Sequence, residues 1–300
     1  MIKNFLSFVE IQTKLATLMP FFAALAFVFY HTGRINVTST VLYIIAALFL
    51  DMSVTAINNH IDTREEGGTP HYSNMVGIGI IASMLVIAAA IGLFLVMTHG
   101  FTLLVAGAFC FFVGIIYTFG PMPISKSSYG EVASGFVAGT VIMFIVVSIN
   151  DPYFVPLGLG FESLRFYMAV DIVDTVLFGI VTVPAAFGAS CILLANNICD
   201  REKDRQFRYT LVHNIGLKNS LRLFVALYLG IYGAIVLGVI AGQLPIVSLV
   251  TLVTAAPVFK NVKLFLATQV KSQTFVLSVK NFFVIMMVYA LSIFLGRFLV

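Results

Sequence analysis

Nine apolar stretches, near 15–30, 40–57, 76–97, 101–119, 130–149, 175–198, 220–240, 245–265 and 281–298, are each long enough to cross a hydrocarbon core of about 30 Å. In lipid, each such stretch must satisfy its backbone polar groups internally, and a helix does so within a single segment. The implied fold is all-α: a polytopic membrane bundle of nine transmembrane helices, forming one integral-membrane domain over residues 1–300. Composition agrees, with 60% hydrophobic and only 10% charged residues and a mean hydropathy of +1.04. These values exclude the soluble globular class, and no basic stripe points to nucleic acid.

Nine spans distribute the charges unevenly. With the amino terminus in the cytoplasm, Lys3, Lys14, Arg64, Lys126, Arg201, Lys203, Arg205, Arg208, Lys218, Arg222, Lys260, Lys263, Lys271 and Lys280 share that side, and only Arg34, Arg165 and Arg297 face outward. A split of 14 to 3 is a strong positive-inside signal, which suggests a bacterial-type plasma membrane protein. The start of the chain lacks the pattern of a cleaved leader, so the first span is expected to remain. Residues 1–14 read as either an interfacial helix or a polar lead-in. Cys110, Cys191 and Cys199 fall in or at the edge of spans and read as apolar packing residues.

One polar pattern occurs twice. Asn58-Asn59-His60-Ile61-Asp62, with Glu66, follows the second span, and Asn196-Asn197-Ile198-Cys199-Asp200, with Asp204, follows the sixth. If each helix continues through its copy, Asn58, Asp62 and Glu66 form one ridge and Asn196, Asp200 and Asp204 another. The copies lie 138 residues apart with four helices between them, which implies two parallel pseudo-repeats, about 15–149 and 175–298. Both ridges then sit at the cytoplasmic face.

Carboxylate and amide oxygens without histidine or thiolate suit Mg²⁺, which completes its shell with water and phosphate oxygens. Acids alone would repel a phosphorylated ligand, so cations are also required. Lys14, Arg64, Lys126, Arg201, Lys203, Arg205 and Arg208 lie at the same face, and Arg205 and Arg208 are the preferred phosphate ligands because guanidinium binds bidentately. A metal cage, cations and an apolar bundle together suggest a substrate with a diphosphate head and a long lipid tail. Some of the 29 phenylalanines could then hold the tail and stabilise an allylic cation.

Within the second span, Asp51, Thr55, Asn58 and Asp62 are spaced by four, three and four, a single helical face. A carboxylate as deep as Asp51 is expected to face a hydrated cavity or a partner inside the bundle. Gly120-Pro121-Met122-Pro123 reads as a rigid turn. The stretch 150–174 reads as the longest outward loop, with a short amphipathic helix around Leu164 to Val170. The stretch 266–280 reads as a basic loop over the cytoplasmic mouth or against anionic lipid.

These residues resemble the UbiA superfamily of intramembrane aromatic prenyltransferases, with their acidic motifs after the second and sixth helices. The narrower resemblance is to the 1,4-dihydroxy-2-naphthoate polyprenyltransferases of menaquinone synthesis. It rests on Asn196 to Asp200 with Asp204 and Thr210-Leu211, on Tyr117 to Pro123 followed by Gly130-Glu131, and on the helix ending in Asn58. The resemblance implies that Mg²⁺ helps the diphosphate of a polyprenyl donor leave and that the donor alkylates an aromatic ring. With dihydroxynaphthoate as acceptor, the product is demethylmenaquinone. It further implies that Asn58, Asp62, Glu66, Asp200 and Asp204 hold the metal, with Asp62, Asp200 and Asp204 as the catalytic acids. Asn58, Asn196, Lys126, Arg205 and Arg208 would meet the diphosphate.

The chain departs from that pattern. Asn59 stands where the family usually carries an acid, Cys199 replaces a common arginine, and Phe207-Arg208-Tyr209 replaces the usual Gly-Lys before Thr-Leu. Other readings are 4-hydroxybenzoate or another ring as acceptor, a membrane transporter of cations or small solutes, and a catalytically reduced paralogue.

Overall fold

The computed structural model describes residues 2–65, 69–120, 123–151, 156–162, 165–205 and 208–299, without the side chains of Gln12, Asp62, Arg64, Glu65, Phe161 and Glu162. Among the described residues, nine helices are long and apolar enough to cross a membrane. In chain order these spans are Leu15–Thr32, Val37–Glu65, Asn74–His99, Phe101–Thr118, Gly130–Asn150, Ile172–Cys199, Leu211–Ile240, Ile246–Ala267 and Lys271–Gly296. The expected nine-helix bundle is therefore present.

The spans end where the chain chemistry stops them. Gly33 closes the first at φ 69°, and Gly100, at φ 85°, is the sole residue between the third and fourth; both conformations favour glycine over any residue with a Cβ. The Asp171 carboxylate starts the sixth span by accepting from the Asp174 amide at 2.9 Å. The fifth, eighth and ninth spans include or open with non-α turns: a π segment at Phe136–Val141, a 3₁₀ segment at Ile246–Thr254 and a π turn at Lys271–Phe275.

Burial separates centre from rim. Half of the first, fifth and sixth spans is buried, against 22% and 17% of the third and fourth, so the latter pair presents most of its surface outward. The main core joins Phe27, Met143, Val181, Leu194, Tyr228, Ile285 and Tyr289, with the Tyr289 hydroxyl donating to the Val181 carbonyl at 2.9 Å. The fifth and sixth spans meet almost backbone to backbone. A Cβ placed on Gly139 would lie 2.3 Å from the Ala186 Cα, and one on Gly135 would lie 2.6 Å from the Ala186 carbonyl oxygen. Small residues permit this approach, which van der Waals packing rewards in lipid.

Two local expectations change, and the lead-in takes one of its two readings. The expected helix around Leu164 to Val170 is replaced over Arg165–Val170, Leu164 lying outside the described residues: Leu157–Glu162 and Arg165–Val170 pair antiparallel, with Gly160 opposite Tyr167. Glycines at alternate positions disfavour a helix and leave room for the Tyr167 ring across the strand. Thr102 pins the hairpin to the fourth span, accepting from the Leu159 amide at 2.8 Å and donating to its carbonyl at 3.1 Å. The expected loop over 266–280 is only three residues, 268–270, because the ninth span already begins at Lys271. The lead-in is a helix, Ile2–Phe8, followed by a turn through Glu10, and its Phe8 and Val9 are buried in a small second core with Ala56, Ile81 and Met84.

Candidate active site

The second span runs unbroken to Glu65, so Asn58 and Asp62 are on continuous helix as their spacing requires. The side chain of Asp62 and all of Glu66 lie outside the described residues. The sixth span ends at Cys199, yet its hydrogen-bond rhythm persists: the amides of Asp200, Asp204 and Arg208 donate to the carbonyls of Asn196, Asp200 and Asp204 at 2.9, 2.8 and 2.8 Å. Asn196, Asp200 and Asp204 thus keep their one-turn spacing through the short helix Arg201–Asp204.

The second ridge is surrounded by cations, though not all of those expected. Asp200 is paired with Lys271 Nζ from the start of the ninth span. Asp204 is buried, and Arg208 Nε lies 3.9 Å from its Oδ1. Burial raises the Asp204 carboxyl above the ordinary aspartate value; Arg208 pulls it down, and neighbouring Asp200 pushes it further up. The Lys126 carbonyl accepts from the Tyr209 amide at 3.0 Å, which ties its segment to the chain just after Arg208. Arg205 is exposed, and Arg201 is held by Glu202, with Nε 2.9 Å from Oε1. Lys271 is the residue that sequence reasoning missed; its charge had been noted, but its partner comes from a distant span.

The neighbouring asparagines have a different task. Asn197 Nδ2 donates to Glu131 Oε1 at 2.9 Å, while Ser190 donates to the Glu131 carbonyl at 2.9 Å, so the first turn of the fifth span clamps the second motif. Glu131 is 3% exposed and its Oε2 has no partner among the described residues. Asn59, in the place of the usual acid, donates to the Phe8 carbonyl at 3.0 Å and to Glu10 Oε1 at 3.2 Å. An amide fits there because a carboxylate would face Glu10 without a proton to offer. Asn58 and Asn196 make no side-chain hydrogen bonds among the described residues.

A cavity of about 520 Å³ lies among the first five spans. Small residues make much of its wall, including Ala46, Ala47, Ala88, Gly92, Gly107 and Ala108. Asp51 and Thr55 bring polarity to it from the face that carries Asn58. Asp51 combines both expected roles, since it lines the cavity and its Oδ1 lies 2.8 Å from Lys14 Nζ.

Comparison with known proteins decides the family. The model of the UbiA prenyltransferase family matches residues 17–267. The chain belongs to this family. A 1,4-dihydroxy-2-naphthoate octaprenyltransferase from Bacillus subtilis is 27% identical over 157 residues, which are 51% of this chain and 44% of that protein. The match thus spans less than half the length of that relative.

Solved UbiA folds agree over the whole bundle. A UbiA homologue from Archaeoglobus fulgidus, bound to DMAPP and Mg²⁺, superposes over 99% of this chain and 100% of its own, with a TM-score of 0.68 and 14% identity. A structure described for digeranylgeranylglyceryl phosphate synthase covers 100% of this chain and 99% of its own, with a TM-score of 0.62 and 14% identity. At such identity the likeness concerns the fold, and the protein is an integral membrane member of the UbiA family.

Proposed function

We propose that this UbiA-family protein is a Mg²⁺-dependent polyprenyltransferase, moving a prenyl group from an allylic diphosphate to an aromatic ring. The observation that carries this reading is the second motif, where two carboxylates one helical turn apart share their surroundings with Lys271 and Arg208. The donor set fits Mg²⁺: it is made of hard oxygens, and the mutual repulsion of Asp200 and Asp204 is what a divalent cation would relieve. Asp200 and Asp204, with Asn58, Asp62 and Glu66, would hold the metal. Bound there, Mg²⁺ would supply neutralisation of the negative charge gathering on the departing diphosphate.

The chain's own residues do the rest. Arg208, Arg205, Lys126 and Asn196 would bind diphosphate oxygens, and Lys271, which pairs with Asp200, would add a further cation beside them. The apolar cavity would hold isoprenoid carbon and exclude water from the reacting centre. The preferred acceptor is 1,4-dihydroxy-2-naphthoate, with demethylmenaquinone as the product, and the name of the Bacillus subtilis relative, a 1,4-dihydroxy-2-naphthoate octaprenyltransferase, supports that acceptor. Family membership favours transfer over transport. The positive-inside distribution supports a cytoplasmic amino terminus and cytoplasmic site mouth in a bacterial-type plasma membrane.

The test is turnover in membranes carrying Asp62→Ala or Asp200→Ala. Each is expected to abolish Mg²⁺-dependent prenyl transfer while the protein still accumulates and melts as a folded species. Wild-type turnover in the double variant would sink the assignment.

A further inference from the structure

The proposed reaction leaves one polar group of the cavity unexplained. Thr17, Asp51 and Thr55 line its mostly apolar wall, and Lys14 pairs with Asp51 from behind them. Lys14 Nζ donates to Asp51 Oδ1 at 2.8 Å, to Thr55 Oγ1 at 2.6 Å and to the Asp51 carbonyl at 3.3 Å. Thr17 donates its hydroxyl to Asp51 Oδ2 at 2.5 Å, and Thr55 donates to the Asp51 carbonyl at 3.1 Å. Every hydrogen these side chains can offer is already used, since an ammonium has three and each hydroxyl one.

Acceptor capacity is what remains. Each Asp51 carboxylate oxygen receives one hydrogen bond, whereas the pair of oxygens can accept about four. Exposure is divided in the same way: the Lys14 side chain is 3% exposed and sealed behind the pair, while that of Asp51 is 29% exposed and lines the cavity. A tie made only to hold two helices would have no need to turn its anionic half into the cavity.

Depth gives the cluster its role. Asp51 lies seven residues before Asn58 on one face, about 10 Å along the helix axis at 1.5 Å per residue. It therefore sits below the motif proposed to hold the diphosphate, at the level of the cavity into which a ring acceptor would project.

We propose that Asp51, oriented by Lys14 and Thr17, is a specificity-determining residue that recognises the acceptor ring through a hydroxyl hydrogen. This proposal rests on the prenyl-transfer reading and deepens it: the cluster selects a hydrogen-bond donor on the ring, and it has no donor left for a ring carboxylate. A hydroxyl bound to a carboxylate also enriches the ring in electron density, which favours attack on an allylic carbon.

The test is calorimetric binding of 4-hydroxy-2-naphthoate and 4-methoxy-2-naphthoate to the full chain in detergent. Wild type is expected to bind the hydroxyl compound about tenfold or more tightly than its methyl ether, the scale of one buried hydrogen bond to a charged group. Lys14→Met with Asp51→Leu, which removes the acceptor and leaves no unpaired charge behind, should lose that preference. Equal binding of the two probes by wild type, retention of the preference in a folded variant, or equal weakening of both probes would each overturn the proposal. If the hydroxyl preference depends on Asp51 while wild-type membranes transfer no prenyl group, the recognition site stands and the proposed reaction falls.

Discussion

At the scale of single residues, the departures from the family pattern acquire physical reasons. Asn59 is a donor to the lead-in segment, so restoring the acid should not improve the site. Asn59→Asp is expected to lose both hydrogen bonds and oppose Glu10, lowering stability by about 1–3 kcal/mol, read as a fall in melting temperature. Asp204 predicts a pH effect. Its raised carboxyl makes the ligand-free site lose its anion at a higher pH than a solvated aspartate would, so diphosphate binding should fall off earlier on the acid side. Arg208→Ala removes an opposing influence and should move that limb to still higher pH, measurable from binding profiles at fixed Mg²⁺. For folding the sign is opposite: this group's contribution to stability is fully present below its unfolded value and is lost as pH rises through the folded one. The stripe from Asp51 to Asp62 was legible because helix spacing is local. The partners Lys271 and Glu131 were not, because they come from other spans and only packing chooses them.

At the scale of elements, the hydrophobic lengths specified the spans, whereas the junctions depended on contacts that composition does not carry. The hairpin between the fifth and sixth spans was hidden because Gly158 and Gly160 weaken both propensities, and its register is set by Tyr167 over glycine and by Thr102. The ninth span begins earlier than its hydropathy suggests because Lys271, Ser272 and Gln273 are polar yet helical, and that extra turn delivers Lys271 to Asp200. The fifth and sixth spans behave as one positioning unit, joined at Gly139 and Ala186 and clamped at Glu131 and Asn197. Gly139→Val should push them apart and destabilise the protein by about 1–3 kcal/mol, the usual cost of overpacking. Thermal melting and prenyl-transfer rate should fall together in that variant, since the displaced element carries the second motif.

At the scale of the whole molecule, the sixth span carries the second motif, while the second span and the cavity belong to the first five spans, so one ligand touching both motifs would link separate parts of the bundle. Binding should therefore raise global stability. Geranyl diphosphate with Mg²⁺ at a hundred times its dissociation constant is expected to add about 2.7 kcal/mol, and Asp200→Ala should abolish the rise in melting temperature. The central claim, metal-dependent prenylation of an aromatic ring, is tested most directly by product identity. Membranes containing the protein are incubated with isotopically labelled polyprenyl diphosphate, Mg²⁺ and a panel including 1,4-dihydroxy-2-naphthoate and 4-hydroxybenzoate, and the extracted lipids are resolved by mass spectrometry. A labelled prenylated ring is expected, formed from dihydroxynaphthoate with loss of its carboxyl and absent when Mg²⁺ is chelated. Labelled diphosphate recovered without any prenylated ring, in membranes where the folded protein is present, would contradict that claim.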